Sequence, residues 1–109
     1  MRTSLFALAM LAAPTAAYAD AATDYATLCV ACHGAAGKGD GVAGAALDPK
    51  PANFSDPAFW STRDDDAVKK VIVEGGAANG KSPLMVPFGS QLSDAQIDAM
   101  VAYLRRFSG

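Results

Sequence analysis

Cys29-Val30-Ala31-Cys32-His33 is the stretch on which the reading of this chain turns. Two thiols three positions apart with an imidazole directly behind them is a haem-attachment spacing: each sulfur adds to a haem vinyl group and the histidine ligates the iron. These are the only two cysteines and the only histidine in 109 residues, so no second site draws on them. A tetrahedral zinc site needs four nitrogen or sulfur ligands, and the chain offers three before a carboxylate must be recruited. A thioredoxin-like redox pair opens a helix after a strand, whereas the run before Cys29, from Ala21 to Leu28, carries helix formers. A structural disulfide is the plainest alternative in an exported chain. Closing so short a loop gains little, and it leaves His33 without a role.

The context upstream supports attachment outside the cytoplasm. Met1-Arg2 supplies a positive charge, Leu5 to Ala13 is apolar and uncharged, and Pro14 precedes Ala17-Tyr18-Ala19. These are the three regions of a secretory signal with a small-x-small cleavage site. Cleavage after Ala19 makes residues 1–19 the signal and leaves Asp20 first. A membrane anchor would need about 20 consecutive apolar residues, roughly twice this run, so no stable membrane insertion is expected once the signal is removed.

The hydrophobic content of 51% is therefore inflated by a segment that the mature chain lacks. Losing Arg2 leaves eight basic and eleven acidic residues, a net charge of −3. A mildly acidic surface argues against nucleic acid or anionic lipid as a main partner, since both select basic patches. Residues 20–109 make one small domain, whose core alone offsets chain entropy only moderately. Burying a large apolar macrocycle would add to it directly.

Downstream, the sequence reads as helices joined by irregular loops. A first helix is expected from Asp20 to the haem motif, capped by Asp20 or Thr23, with Tyr25, Leu28 and Cys29 at i, i+3, i+4 spacing and the small Ala22 and Ala26 offering a surface for another helix. Gly34, Gly37, Gly39, Gly41 and Gly44 follow at intervals no amphipathic helix would choose. That loop is either a close backbone approach around the cofactor edge or a series of exposed turns. In Asp48-Pro49-Lys50-Pro51-Ala52-Asn53-Phe54 the two prolines forbid regular helix. A rigid loop of this kind can present the carbonyl that a metal-bound histidine needs for its second ring N–H, with Pro51 or Pro49 as the candidate. Asp56 and Pro57 suit the cap and first position of a short helical turn. Trp60 in that turn either walls the haem pocket and donates to a propionate or packs in the core.

Thr62-Arg63-Asp64-Asp65 resembles a capping box, and a helix from about Arg63 to Glu74 should stop at Gly75. The Asp64-Asp65-Asp66 run reads as a solvated cluster at a helix start rather than a metal site. Gly75 to Ser82 satisfies the G-x-x-x-x-G-K-S phosphate-loop expression letter for letter. That motif requires a strand before it and a helix after it, and here a helix precedes and Pro83 follows. Ser93-Asp94-Ala95-Gln96 is a second capping box. Ile97, Met100, Val101, Leu104 and Phe107 form the apolar face of a terminal helix from about Asp94 to Phe107.

What occupies the sixth iron position decides between an electron carrier and a reactive centre. Without a second histidine, methionine is the natural soft donor. Met1 and Met10 leave with the signal, and Met100 lies mid-helix, where core filling is the default. Met85 sits in a loop stiffened by Pro83 and Pro87, which makes it the better candidate ligand. Histidine with methionine raises the iron potential and leaves no open position for substrate.

Together, Cys29-Val30-Ala31-Cys32-His33-Gly34, the Gly-Lys-Gly-Asp-Gly turn, Pro-Lys-Pro-Ala-Asn-Phe, and Met85 ahead of Leu92-Ser93-Asp94 and Tyr103-Leu104 resemble a small bacterial class I c-type cytochrome. Val86 stands between Met85 and Pro87, where many members have proline directly after the ligand. The resemblance implies an all-α fold with crossed N- and C-terminal helices around one covalent haem c, and His33 and Met85 as axial ligands. It further implies a periplasmic one-electron carrier and no enzyme, a monomer serving redox protein donors and acceptors through transient contacts. Two other functions compete: a gas-binding or peroxidatic haem protein with a labile sixth ligand, and the haem subunit of a larger redox complex.

Overall fold

The computed structural model describes the backbone of residues 13–109 and the side chains of residues 20–109. The charged start and most of the apolar run of the expected signal lie outside the described residues. Among the described residues five α-helices follow in order: α1 (Ala13–Leu28), α2 (Val30–His33), α3 (Pro57–Ser61), α4 (Asp65–Glu74) and α5 (Asp94–Arg105). Short 3-10 turns lie at Val42–Gly44, Ala77–Asn79 and Arg106–Ser108. Among the described residues there is no strand, which removes the sheet that a phosphate loop would need.

Among the described residues α1 already runs from Ala13, ahead of the expected cap, Asp20. The alanines of this stretch are the best helix formers. The expected face of Tyr25, Leu28 and Cys29 does meet the core, but the alanine it buries differs from expectation. Ala21 and Tyr25 are the buried residues, at 1% and 3% exposure, whereas Ala22 is half-buried and Ala26 exposed. The buried phase is set by Tyr25, which packs against Tyr103 and Phe107 with ring centroids 5.6 and 5.2 Å away. The N-terminal and C-terminal helices are thus packed together, α1 against α5.

Helix α5 has the cap its sequence announces. The Ser93 hydroxyl accepts from the Gln96 N–H at 3.1 Å while the Ser93 N–H donates to the Gln96 side chain at 2.7 Å. Ile97, Met100, Val101 and Leu104 are all buried. Phe107 lies beyond the helix, in the closing 3-10 turn, half-buried against Gly37.

Helix α4 starts two residues later than the capping-box reading places it. Asp64 is the cap, its carboxylate accepting from the Ala67 N–H at 2.8 Å. The Thr62 hydroxyl is already engaged in closing α3, donating to the Ala58 carbonyl at 2.9 Å. Asp65 holds Arg105 of α5 at 2.6 Å, and Lys69 pairs with Asp98 at 2.9 Å. The acidic run is therefore a cap and a link between helices. No cluster of three or more metal-ligating side chains exists among the described residues. Val68 and Ile72 turn the other face of α4 into the core beside Phe54, Trp60 and Phe88.

Candidate functional site

Helix α1 delivers Cys29 by continuing its hydrogen bonding one residue past its end, the Cys29 N–H donating to the Tyr25 carbonyl at 2.9 Å. Helix α2 is a single turn closed by the His33 N–H on the Cys29 carbonyl, also 2.9 Å. That turn presents the Cys29 and His33 side chains to one side, where both line the same cleft. The chain leaves it through Gly34, whose φ of +85° is a conformation L side chains rarely adopt. The buried Tyr25 hydroxyl donates to the Gly34 carbonyl at 2.6 Å and ties the exit back to α1.

The glycine-rich loop makes its close approach to the motif's own backbone. Its N–H groups saturate the carbonyls that a one-turn helix leaves open: Gly39 donates to the His33 carbonyl at 2.8 Å and Gly41 to the Cys32 carbonyl at 3.0 Å. Gly41 is buried with its Cα against the Ala31 carbonyl, where a Cβ would collide with backbone. The spacing that reads as a turn series is thus a brace behind Cys32 and His33.

Burial pushes the Cys29 thiol up to about 11, with Asp24 and Cys32 adding to the effect. It is a protonated thiol at neutral pH, the reverse of the low-pKa thiolate that a thioredoxin-like pair uses. Both cysteines are free. Burial also lowers the His33 pKa, opposed by a hydrogen bond to the Ala52 carbonyl. That bond, Nδ1 to oxygen at 3.3 Å, fixes the tautomer. A carbonyl cannot donate, so Nδ1 carries the proton and Nε2 keeps its lone pair. The proline loop therefore supplies the expected support, but through Ala52 rather than Pro51 or Pro49. Pro51 instead packs behind the motif, its ring over the position where Gly44 has no side chain.

Trp60 takes the core reading. Its indole N–H is spent on the Phe54 carbonyl at 2.9 Å, its ring is 8% exposed, and it does not line the cleft. Phe54 is the residue that sequence reasoning left unassigned: its ring is stacked on the His33 imidazole, centroids 4.6 Å apart. Its place directly after the proline segment was the available signal.

Met85 lines the same cleft from the loop that follows α4. In Leu84-Met85-Val86 the outer two side chains are 67% and 46% exposed, while Met85 is half-buried and lines the cleft with His33 and Cys29. Leu28, Phe54, Ile72, Phe88 and Leu92 complete an almost wholly apolar lining. Met100 also borders it, at 1% exposure within α5.

The free Cys29 thiol, an imidazole with a free Nε2 and a thioether around one apolar cleft, with the free Cys32 thiol one turn on in α2, are the donor set and surroundings that fit a covalently held haem. The fold and the site thus define a c-type haem protein. The cytochrome c family matches residues 18–108, and this chain belongs to that family. Family membership carries covalently bound haem c and electron transfer with it. A solved structure, the KustC0563 c-type cytochrome, is similar with a TM-score of 0.66 at 25% sequence identity, covering 83% of this chain and 99% of that one. Comparison with curated proteins returns no match.

Proposed function

We propose that this chain is a periplasmic one-electron carrier holding a single haem c through Cys29 and Cys32, with His33 and Met85 as axial ligands. The observation that carries the reading is the meeting of Cys29, His33 and Met85 on one apolar cleft, with Nδ1 of His33 already committed to the Ala52 carbonyl. When bound, the haem supplies reversible one-electron exchange at iron.

The protein's own residues do the rest. Ala52 and Phe54 hold the imidazole in one orientation, and the apolar lining excludes water from the iron's surroundings. With His33 and Met85 both holding the iron, neither dioxygen nor peroxide would have a place to bind, which would separate a carrier from an enzyme. Two cysteines attach one haem and no more. Leu84 and Val86, exposed on either side of Met85, give a monomer an apolar contact for transient redox protein partners. Export by residues 1–19, with cleavage after Ala19, places it in the periplasm. Among the described residues no helix is long and apolar enough to cross a membrane.

Oxidised and reduced absorption spectra of the exported protein, taken with its intact mass, test the reading. A mass of residues 20–109 plus one haem is expected, with a low-spin six-coordinate spectrum unchanged by carbon monoxide in the ferrous state. Ready binding of carbon monoxide would overturn it in favour of a labile sixth ligand.

A further inference from the structure

The Gly75 to Ser82 segment, whose letters spell a phosphate loop, has a different use in this fold. Helix α4 ends at Glu74, and Gly75 and Gly76 turn the chain directly beneath the Met85 loop; both are buried. The Gly76 N–H donates to the Met85 carbonyl at 2.7 Å, and the Gly76 carbonyl accepts from the Lys81 N–H at 2.8 Å. The Ser82 carbonyl lies on the Gly76 Cα so closely that a Cβ would collide with it, and that same Cβ would stand 3.1 Å from the Cβ of Met85. Gly76 has φ −69° and ψ −42°, a conformation open to any residue. Backbone strain therefore does not explain the glycine; the loop packed on it does.

We infer that Gly76 is a positioning residue for the Met85 thioether. Its N–H fixes the Met85 carbonyl, and its missing side chain lets the 82–85 backbone seat against the end of α4. Residue 76 thereby sets how far Met85 reaches into the cleft. The loop is also anchored downstream, where Phe88 and Gly89 donate to the Ile72 and Val73 carbonyls at 2.9 and 3.2 Å. A side chain at position 76 would lift only the Met85 end of a loop pinned at its other end. The inference rests on the reading of Met85 as the sixth ligand.

Gly76→Ala, made in the exported haem-loaded protein, is the test, with Gly80→Asn as control. Gly80 is in the same segment in a left-handed conformation that asparagine tolerates, and nothing lies within 4 Å of a Cβ there. The expected result for Gly76→Ala is loss of the long-wavelength sulfur-to-iron absorption, a lower reduction potential and carbon monoxide binding to ferrous protein, while far-ultraviolet circular dichroism stays helical and Gly80→Asn behaves as wild type. A Gly76→Ala protein with the wild-type spectrum and potential overturns the inference. Met85→Ala separates the two readings: a spectrum unchanged by Met85→Ala overturns the ligand itself, and a spectrum altered by Met85→Ala but not by Gly76→Ala overturns only the positioning role. If Gly76→Ala accumulates no haem protein, amide exchange in wild type decides. Displacing Met85 with excess imidazole should speed exchange at Gly76 by about tenfold and leave Gly89 unchanged. Equal effects at the two amides overturn the inference.

Discussion

The imidazole of His33 lies stacked on the ring of Phe54, centroids 4.6 Å apart and planes inclined by 22°. The same ring is met edge-on by Phe59 at 5.4 Å, and it is only 6% exposed. Phe54 thus joins the core to the histidine, while its neighbour Ala52 holds that histidine's Nδ1. Phe54→Ala should cost about 3–5 kcal/mol of stability, as removal of a buried aromatic does. Phe54→Leu, which keeps most of the volume, should cost clearly less yet still lose the flat face against the imidazole. Guanidinium unfolding of the two variants, each with its reduction potential, checks both parts.

Trp60→Phe isolates one hydrogen bond. The indole N–H satisfies the buried Phe54 carbonyl, and phenylalanine leaves that acceptor unpaired while keeping most of the ring. Removing one partner of a buried pair costs about 1–3 kcal/mol. The Arg105 guanidinium lies 4.5 Å from the Trp60 ring and would keep a weaker aromatic contact in the variant. The expected outcome is a lower midpoint of unfolding with an unchanged haem spectrum. A changed spectrum would mean that the indole reaches the cofactor, contrary to its observed partner.

These two residues mark where sequence was legible and where it was not. The haem motif, the Ser93–Gln96 box and the apolar face of α5 are read from local spacing, because each depends on neighbours within one or two turns. Asp56 with Pro57 and the Gly75 stop are equally local. The support for His33 was placed in the right loop but on the wrong residue, since any carbonyl can accept and none is distinguished by its side chain. Trp60 offered two partners for one N–H, and only the tertiary path of the chain chose between them. The Tyr25, Leu28 and Cys29 face of α1 is likewise legible from its spacing, but which alanine it buries is not, because alanine reads the same on either face; the contact of Tyr25 with Tyr103 and Phe107, 78 residues or more away along the chain, decides it.

Tyr25 predicts a pH dependence. Its hydroxyl donates to the Gly34 carbonyl at 2.6 Å in a buried setting, and burial, with smaller contributions from Cys29, Tyr103 and Asp40, raises its pKa well above the ordinary value of 10.0. Above that value the unfolded chain loses the tyrosine proton while the folded chain keeps it. The folded state then binds more protons than the unfolded one, so stability falls as pH rises. The contribution is complete below the unfolded pKa and is lost as pH climbs toward the folded one. Tyr25→Phe should be less stable by about 1 kcal/mol at neutral pH, the net worth of one hydrogen bond. The gap should close above pH 10 and then reverse, because phenylalanine has no proton to lose. Denaturant midpoints of the two proteins compared at each pH test this, since groups common to both cancel.

Gly41→Ala addresses the brace behind the haem motif. Gly41 has φ −63° and ψ 150°, so alanine meets no backbone penalty there. Its Cβ would instead press on the Ala31 carbonyl, with the Ala31 and Cys32 carbonyl carbons at 2.6 and 2.7 Å. These are backbone atoms of a one-turn helix and cannot rotate away. Either α2 shifts or the loop lifts, and lifting breaks the Gly41 N–H bond to the Cys32 carbonyl. Both outcomes move Cys32 relative to Cys29, the spacing on which two-point attachment depends. Gly41→Ala should therefore lower the yield of haem-loaded protein and leave part of it attached through one sulfur only. At Ala43, exposed in the following turn, substitution by serine should change neither quantity. Intact mass, together with the shift of the reduced absorption band that a remaining vinyl group produces, distinguishes single from double attachment. Full double attachment at wild-type yield in Gly41→Ala would show that the loop follows the motif rather than bracing it.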